Sequence, residues 1–339
     1  KGGIHVSREK VLERLRASEG CVSGQTLSEE LGLSRAAVWK AVESLRRDGY
    51  GIEARTRAGY RLVSVPDALT ESEIRSHLGE TRTVGRTLYC FPELDSTNNH
   101  AKSLAQKGAP DGTAVIADRQ TSGRGRMNRS FQSPKGKGIY LSVLLRPVLS
   151  PEHLPLVTAL AGVALCDAVE KVCGARPGLK WPNDPVLNGR KLCGILTEAS
   201  LEAETGRLQS LVVGIGVNVL QTPEDFSPEV ASMATSLLQA TGQAVSRPGL
   251  AAALLEALDR MYADLERDSL SQWRSAYRRD CVNLGKAVQM IPFDGGPRET
   301  AEAVDVDEDF SLIVRLPDGA RKAIRSGEVS VRGVWGYAE

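Results

Sequence analysis

Cysteine and histidine are too sparse and too scattered here to build a metal centre. The six cysteines stand at 21, 90, 166, 173, 193 and 281, without a CxxC pair, and four histidines cannot complete a zinc site. The expectation is reduced thiols in a cytoplasmic protein that holds no metal of its own. Long apolar runs are missing too: none reaches the ~18–20 residues a membrane span needs, and no signal peptide is visible, so no membrane partner is expected. Net charge is nearly absent, since 43 Lys and Arg offset 42 Asp and Glu to leave +1. That argues against a chain coated in nucleic acid but leaves room for local patches. The chain begins at Lys1 rather than Met, so a native start further upstream is expected. Its 339 residues suggest two or three domains, and a 41% hydrophobic content is that of a globular protein rather than a disordered or fibrous one.

One local patch is the first 65 residues, with twelve Lys or Arg against eight Asp or Glu. Val11, Leu12 and Leu15 share a helical face, and a short helix with Leu27 and Leu31 stops at Gly32. Ser34 is placed to cap a further helix in which Val38, Ala41, Val42 and Leu45 form a clean apolar stripe. The opposite face offers Arg35, Trp39, Lys40 and Glu43, as a helix laid in a DNA major groove would. "YGIEARTRAGYRLV" then reads as two strands around a tight turn, a basic wing whose Arg55 and Arg57 can reach phosphates. A three-helix protein-interaction module is the alternative, and Trp39 suits a protein contact as well as a DNA one.

Pro66-Asp67 breaks this pattern, and a short helical stretch at 70–79 leads onward. From about 80 to 270 the pattern predicts strands at 87–91, 113–118, 138–146, 191–198 and 211–219. Helices are predicted near 97–107, 152–172 and 248–267, giving an α/β domain around a buried sheet.

Four segments there carry polar groups that packing does not require. In "LDSTNNHAKSL", Ser96 or Thr97 opens a helix, and its amides and hydroxyls form a donor site for a carbonyl or anion, or simply an N-cap. "RQTSGRGRMNRSFQSPKGKG" (119–138) has six Lys or Arg, no Asp or Glu and four glycines. It leads through Ser133-Pro134 into a strand, not a helix, so it is not a Walker A loop. Gly123 and Gly125 allow close approach to a ligand, Arg124, Arg126 and Arg129 can neutralise phosphates, and the empty loop is expected to be mobile. In "KWPNDPVLNGRKLCGIL", Asn188-Gly189 signals a two-residue hairpin that sets Lys191 at the mouth of an apolar strand. A lysine there must meet an anion or snorkel out. Lys180, Asn183 and Asp184 cluster just before it, and salt bridging is the plain account of that cluster. In "LVVGIGVNV", Gly214, Gly216 and Asn218 share one strand face, which reads as bare backbone beside a ligand.

"DSTN", "GRGRMNRSFQSP", "KWPND", "GRKLCGIL" and "GIGVN" stand in the order and approximate spacing of the biotin–protein ligases. With the head, nearly the whole chain resembles the bifunctional ligase–repressors of that family. The resemblance implies a winged helix-turn-helix (1–65), a mixed-sheet catalytic domain (66–275) and a small SH3-like β-barrel (276–339) containing "SGEVSVRG". It implies that biotin and Mg-ATP give biotinyl-5′-AMP and pyrophosphate, and that a lysine of the biotin carboxyl carrier protein then takes the biotin. Ser96, Thr97, Asn98, Gln120, Arg124, Gly125, Arg126, Lys191 and the Gly194 backbone would hold biotin. Arg126, Arg129, Phe131, Lys180, Asn183, Lys191 and Asn218 would hold the nucleotide. Lys191, Arg124, Arg126 and Asp184 would serve the chemistry, and Ser34, Arg35, Trp39, Lys40, Arg55 and Arg57 would meet operator DNA as a homodimer loaded with biotinyl-AMP. Phe131 replaces the more usual Trp, and Met127-Asn128 an Arg-Gly pair. The competing readings are a lipoate-type ligase, a ligand-sensing repressor without ligase activity, and a ligase whose head does not repress.

Overall fold

A computed structural model describes residues 2–125, 129–292, 297–325 and 329–333, with side chains at 7–125, 129–291 and 297–325. The chain divides into two compact units, 1–67 and 68–339.

In the first unit, helices α1 (Gly2–Arg16), α2 (Gly24–Leu31) and α3 (Arg35–Arg47) precede an antiparallel ribbon of β1 (Gly51–Arg55) and β2 (Gly59–Ser64). Ser23 caps α2 by accepting the Thr26 amide at 2.9 Å, and Gly32 ends it at φ 65°. Two residues later Ser34 caps α3 through the Ala37 amide at 3.2 Å, so the turn between the helices is written in cap chemistry. The stripe Val38, Ala41, Val42 and Leu45 packs on Val11, Leu12, Leu15 and Leu27. Val22 and Tyr60 exchange two 2.8 Å backbone bonds that pin the ribbon to the helices. Gly59 makes this approach possible: at φ 105°, a Cβ there would lie 2.1 Å from the Val22 carbonyl oxygen. This is the expected winged helix-turn-helix.

The second unit begins with α4 (Glu71–His77), β3 (Leu88–Phe91), α5 (Thr97–Gln106), β4 (Ala114–Ala117), β5 (Gly138–Leu145) and α6 (Leu154–Cys173). A small hairpin sheet follows, β6 (Gly178–Lys180), β7 (Asp184–Leu187) and β8 (Arg190–Lys191), then the long strands β9 (Cys193–Leu201) and β10 (Leu208–Asn218). Helices α7 (Pro228–Ala231), α8 (Leu237–Thr241), α9 (Arg247–Glu266) and α10 (Ser271–Asp280) complete it. The central sheet runs β3-β4-β5-β10-β9, with β3 and β4 parallel and the other pairs antiparallel. Leu211, Val213, Ile215 and Val217 of β10 join the main core, which also contains residues of α6 and α9. On the other face Val212 packs with Ala101 of α5, and Gly214, Gly216 and Asn218 follow at alternate positions.

The Asn188-Gly189 turn is present, both residues at positive φ (51° and 71°), as a type I′ hairpin requires. The strand predicted at 191–198, however, is broken at Leu192, whose amide bonds Pro185 O at 2.9 Å. Lys191 therefore belongs to the small hairpin sheet, not to the mouth of β9, and β9 itself runs on to Leu201.

Strands β11 (Ala287–Pro292), β12 (Glu299–Val306), β13 (Leu312–Arg315), β14 (Arg321–Ile324) and β15 (Val329–Gly333) form the C-terminal antiparallel sheet in the order β14-β13-β12-β11-β15. The border expected at 275/276 falls inside α10, so we place it after that helix. Three bonds fasten this end of the chain to the "KWPND" segment. Trp181 donates from Nε1 to Phe310 O (2.8 Å) and from its amide to Asn283 Oδ1 (2.7 Å), and the Tyr277 hydroxyl donates to Pro182 O (2.7 Å). Tyr277 also meets Phe310 edge-on at 4.9 Å, an arrangement worth about 1 kcal/mol beyond area burial.

Candidate active site

The glycines of β10 and β9 form a cross-strand floor. Gly216 stands opposite Gly194 on one side and Tyr140 on the other, and Gly214 opposite Leu196 and Ser142. This face is not bare, as the sequence suggested. A Cβ at Gly214 would sit 2.1 Å from Asn98 Oδ1, and Cβ atoms at Gly216 and Gly194 would sit 2.5 and 3.1 Å from the Phe131 ring. The small residues thus make room for an amide from α5 and an aromatic ring from the basic loop.

Ser96 caps α5, with its hydroxyl 3.5 Å from the Asn99 amide. The other polar groups at this helix start bond one another in this structure. Thr97 gives its amide (2.9 Å) and hydroxyl (3.1 Å) to Gln120 Oε1, and Gln120 Nε2 donates to Ser133 Oγ at 3.0 Å. Asn98 donates to Leu196 O (3.3 Å) and Glu198 Oε2 (2.8 Å), while Ser142 Oγ lies 2.6 Å from Asn98 Oδ1 and 2.7 Å from Thr97 Oγ1. Ser96, Thr97, Asn98 and Gln120 are thereby gathered into one network on the glycine face.

Gly125 N donates to Arg129 O (2.7 Å) and Phe131 N to Gly123 O (2.8 Å), so both described arms of the loop are bonded to each other. Arg124 reaches Asn99 Oδ1 at 2.6 Å and Glu198 at 3.3 Å, rather than repelling its neighbours into solvent. Arg129 is exposed. Arg126, with Met127 and Asn128, lies outside the described residues, as do parts of the "SGEVSVRG" segment.

On the hairpin sheet, Lys191 pairs with Asp184 through Nζ and Oδ1, both side chains about a quarter to a third exposed. Asn183 is buried and donates to Ile195 O at 3.1 Å, and Lys180 is buried at the end of β6, opposite Asp184 in register. Asn218 joins this group through main chain: its amide donates to Leu192 O (3.0 Å) and its Nδ2 to Thr235 O (3.1 Å), while Thr235 N donates to Lys191 O (2.9 Å). Gln221, buried beside it, gives Nε2 to Asn218 Oδ1 at 3.1 Å and leaves Oε1 without a partner among the described residues. No group of three or more His, Cys, Asp or Glu is placed to hold a metal among the described residues.

Sequence reasoning missed Glu198. It shares the glycine face with Gly194 and Leu196 and joins Asn98, Lys102 (2.8 Å) and Arg124. Burial pushes its carboxyl up, but Lys102, Asn98 and Arg124 outweigh that and hold it below the usual carboxylate range. An acid two residues along the strand from Leu196, on the face that already bears functional positions, was the available signal.

In the head, Ser34 is committed to its cap and Arg35 Nε donates to Gln25 Oε1 at 2.7 Å. Trp39, 56% exposed, and Lys40 lie on the solvent side of α3. Arg55 pairs with Glu53 at 3.1 Å, and Arg57 occupies the wing turn at φ 64°.

Family models match three stretches: an HTH domain at 7–61, the biotin/lipoate A/B protein ligase family at 90–218, and the biotin protein ligase C-terminal domain at 284–332. The bifunctional ligase/repressor BirA of Bacillus subtilis is 38% identical over 307 residues, 91% of this chain and 93% of that one. Its Escherichia coli counterpart is 30% identical over 310 residues, 91% of this chain and 92% of that one. Among solved structures, the biotin protein ligase from Aquifex aeolicus in complex with biotin and ATP matches with TM-score 0.62 and 31% identity, covering 73% of this chain and 99% of that one. No helix among the described residues is long and apolar enough to cross a membrane.

Proposed function

The chain belongs to the biotin/lipoate A/B protein ligase family, among its bifunctional ligase/repressors, and from that premise we propose how its residues divide the work. The enzyme joins biotin to protein at the expense of ATP, and its helix-turn-helix head serves a repressor role. In the first step the biotin carboxylate attacks the α-phosphorus of Mg-ATP and pyrophosphate leaves. In the second, the amine of an acceptor lysine attacks the acyl carbon of biotinyl-5′-AMP, a proton is lost from nitrogen, and AMP leaves. Magnesium enters with the nucleotide.

Both steps gather negative charge, so cations held in place before reaction lower the barrier most. Lys191 bridges the biotin carboxylate and the α-phosphate; its pairing with Asp184 supports this, because that carboxylate orients the ammonium. Asp184 also positions the incoming lysine. Ser96, Thr97, Asn98 and Gln120 hold the polar ring of biotin, and Gly194 brings its backbone against it. Arg124, Gly125 and Arg126 belong to the closing loop, Arg126 and Arg129 serving phosphates. Asn218 reads adenine, with Lys180 and Asn183 beside the nucleotide. The Phe131 ring, which lies on Gly194 and Gly216 in this structure, lifts off that floor to admit biotin and then covers the intermediate, keeping water from the mixed anhydride.

One observation carries this reading. The loop that bears the arginines also lays Phe131 across the Gly194–Gly216 pair, so a single segment supplies a cover for an apolar acid and cations for its adenylate.

The biotin carboxyl carrier protein is the acceptor, and the site of action is the cytoplasm, which suits six unpaired thiols. Biotinyl-AMP favours a homodimer whose two heads, through Ser34, Arg35, Trp39, Lys40, Arg55 and Arg57, span a two-fold operator. Mass-spectrometric detection of biotinyl-AMP after mixing the protein with biotin and Mg-ATP tests the catalytic reading, with lipoate in parallel. An adduct with biotin alone is expected; an adduct with lipoate alone, or with neither acid, sinks it.

A further inference from the structure

Glu198 links the three elements around the glycine floor. It rises from β9, accepts from Asn98 Nδ2 and Lys102 Nζ of α5 at 2.8 Å each, and meets Arg124 of the basic loop at 3.3 Å. Arg124 is held from a second side by Asn99 Oδ1, so its guanidinium bridges α5 and β9. We propose that Glu198 is a positioning residue for this ligase: it docks the loop through Arg124 and orients Asn98, and so sets how tightly biotin and biotinyl-AMP are retained. The proposal rests on the ligase reading above.

The geometry favours docking over competition. A carboxylate that merely withheld Arg124 from an anionic ligand would need no bond to Asn98, whose own amide is fixed by Leu196 O and Ser142. Charge-assisted bonds from three donors are stronger than neutral ones and direct each donor to one place. Lys102 offsets the charge that Glu198 brings to a half-buried face, leaving Arg124 its remaining donors. Among the described residues the charged groups facing Glu198 are Lys102 and Arg124, and its neighbour across the sheet is the apolar Val212.

A role through charge is separable from a role through shape, because Glu198→Gln keeps the shape. In the full chain, Glu198→Gln should raise the KM for biotin about tenfold, lower kcat for pyrophosphate release by less than about threefold, and speed loss of bound biotinyl-AMP about tenfold. Retention by the unaltered protein should weaken only at acid pH below the usual carboxylate range, because Lys102, Asn98 and Arg124 hold the Glu198 carboxyl down. Lys102→Met should move that acid limb to higher pH, since burial is then opposed by Asn98 and Arg124 alone, and Glu198→Gln should abolish the limb. A merely structural residue would shift the melting temperature without moving the limb. Unchanged KM and retention in Glu198→Gln overturn the proposal, as does tighter binding, the result expected of a competitor. If Glu198→Gln does not fold, an acid limb left in place by Lys102→Met overturns it. An unaltered protein that forms no biotinyl-AMP overturns the ligase reading and this proposal together.

Discussion

Arg247, the first residue of α9, holds both ends of the basic loop. Its Nη1 pairs with Asp118 Oδ1 at 2.5 Å just before the loop and lies 3.3 Å from Gly138 O just after it, and the same Asp118 oxygen accepts the Gly136 amide at 3.3 Å. The guanidinium is 4% exposed, so the loop is rooted in the core although its arms reach solvent. Replacing Arg247 by Met keeps the volume but strands Asp118 without its cation. The expected loss is about 3 kcal/mol of stability by denaturant unfolding, with faster escape of biotinyl-AMP. A variant as stable as the unaltered protein contradicts the rooting role.

Gly214 has a different function from the glycines of turns. It makes room for Asn98, and Gly214→Ala would push Asn98 Oδ1 out of a 2.1 Å clash and away from Ser142. Biotin affinity should fall by more than about tenfold, and stability by about 1–3 kcal/mol. Isothermal titration with biotin, beside thermal unfolding, measures both; normal affinity would remove Asn98 from the biotin set.

Lys191→Ala tests the chemistry itself. The ammonium is partly exposed and its loss leaves Asp184 able to reach water, so the fold should survive. Adenylate formation should drop by about 100-fold or more, as when a preorganised charge is withdrawn from a transition state. Turnover at the unaltered rate would dismiss Lys191 as the bridging cation.

For the head, Arg57→Gly is the cleanest probe. Arg57 sits at φ 64°, where glycine is at ease, so the change removes a charge without straining the wing. Operator affinity should weaken and the slope of log affinity against log salt should fall by about one, the mark of one lost phosphate contact. An unchanged slope would mean that the wing does not touch the backbone.

Much of this was readable from the chain order. Cap residues and glycine stops write local structure directly, because a Ser hydroxyl at an N-cap or a Gly at positive φ acts within three or four residues. Hence the head's helices, its wing and the Asn188-Gly189 hairpin were all legible. Lys191 was placed less well: the break at Leu192 depends on Pro185 across the hairpin and Met233 beyond it, which no local pattern announces.

The sequence by itself determined the helices of the head, most strands of the central sheet and the order of the motifs, since side-chain alternation and cap chemistry need no third dimension. Only the tertiary structure decided what their residues face. Phe131 comes to lie on Gly194 and Gly216, Arg124 to meet Glu198, and Arg247 to grip Asp118 across 129 positions of chain. Such contacts are set by strand register and by the packing of helices on the sheet, and complementary charge in a low-dielectric interior then fixes each pair.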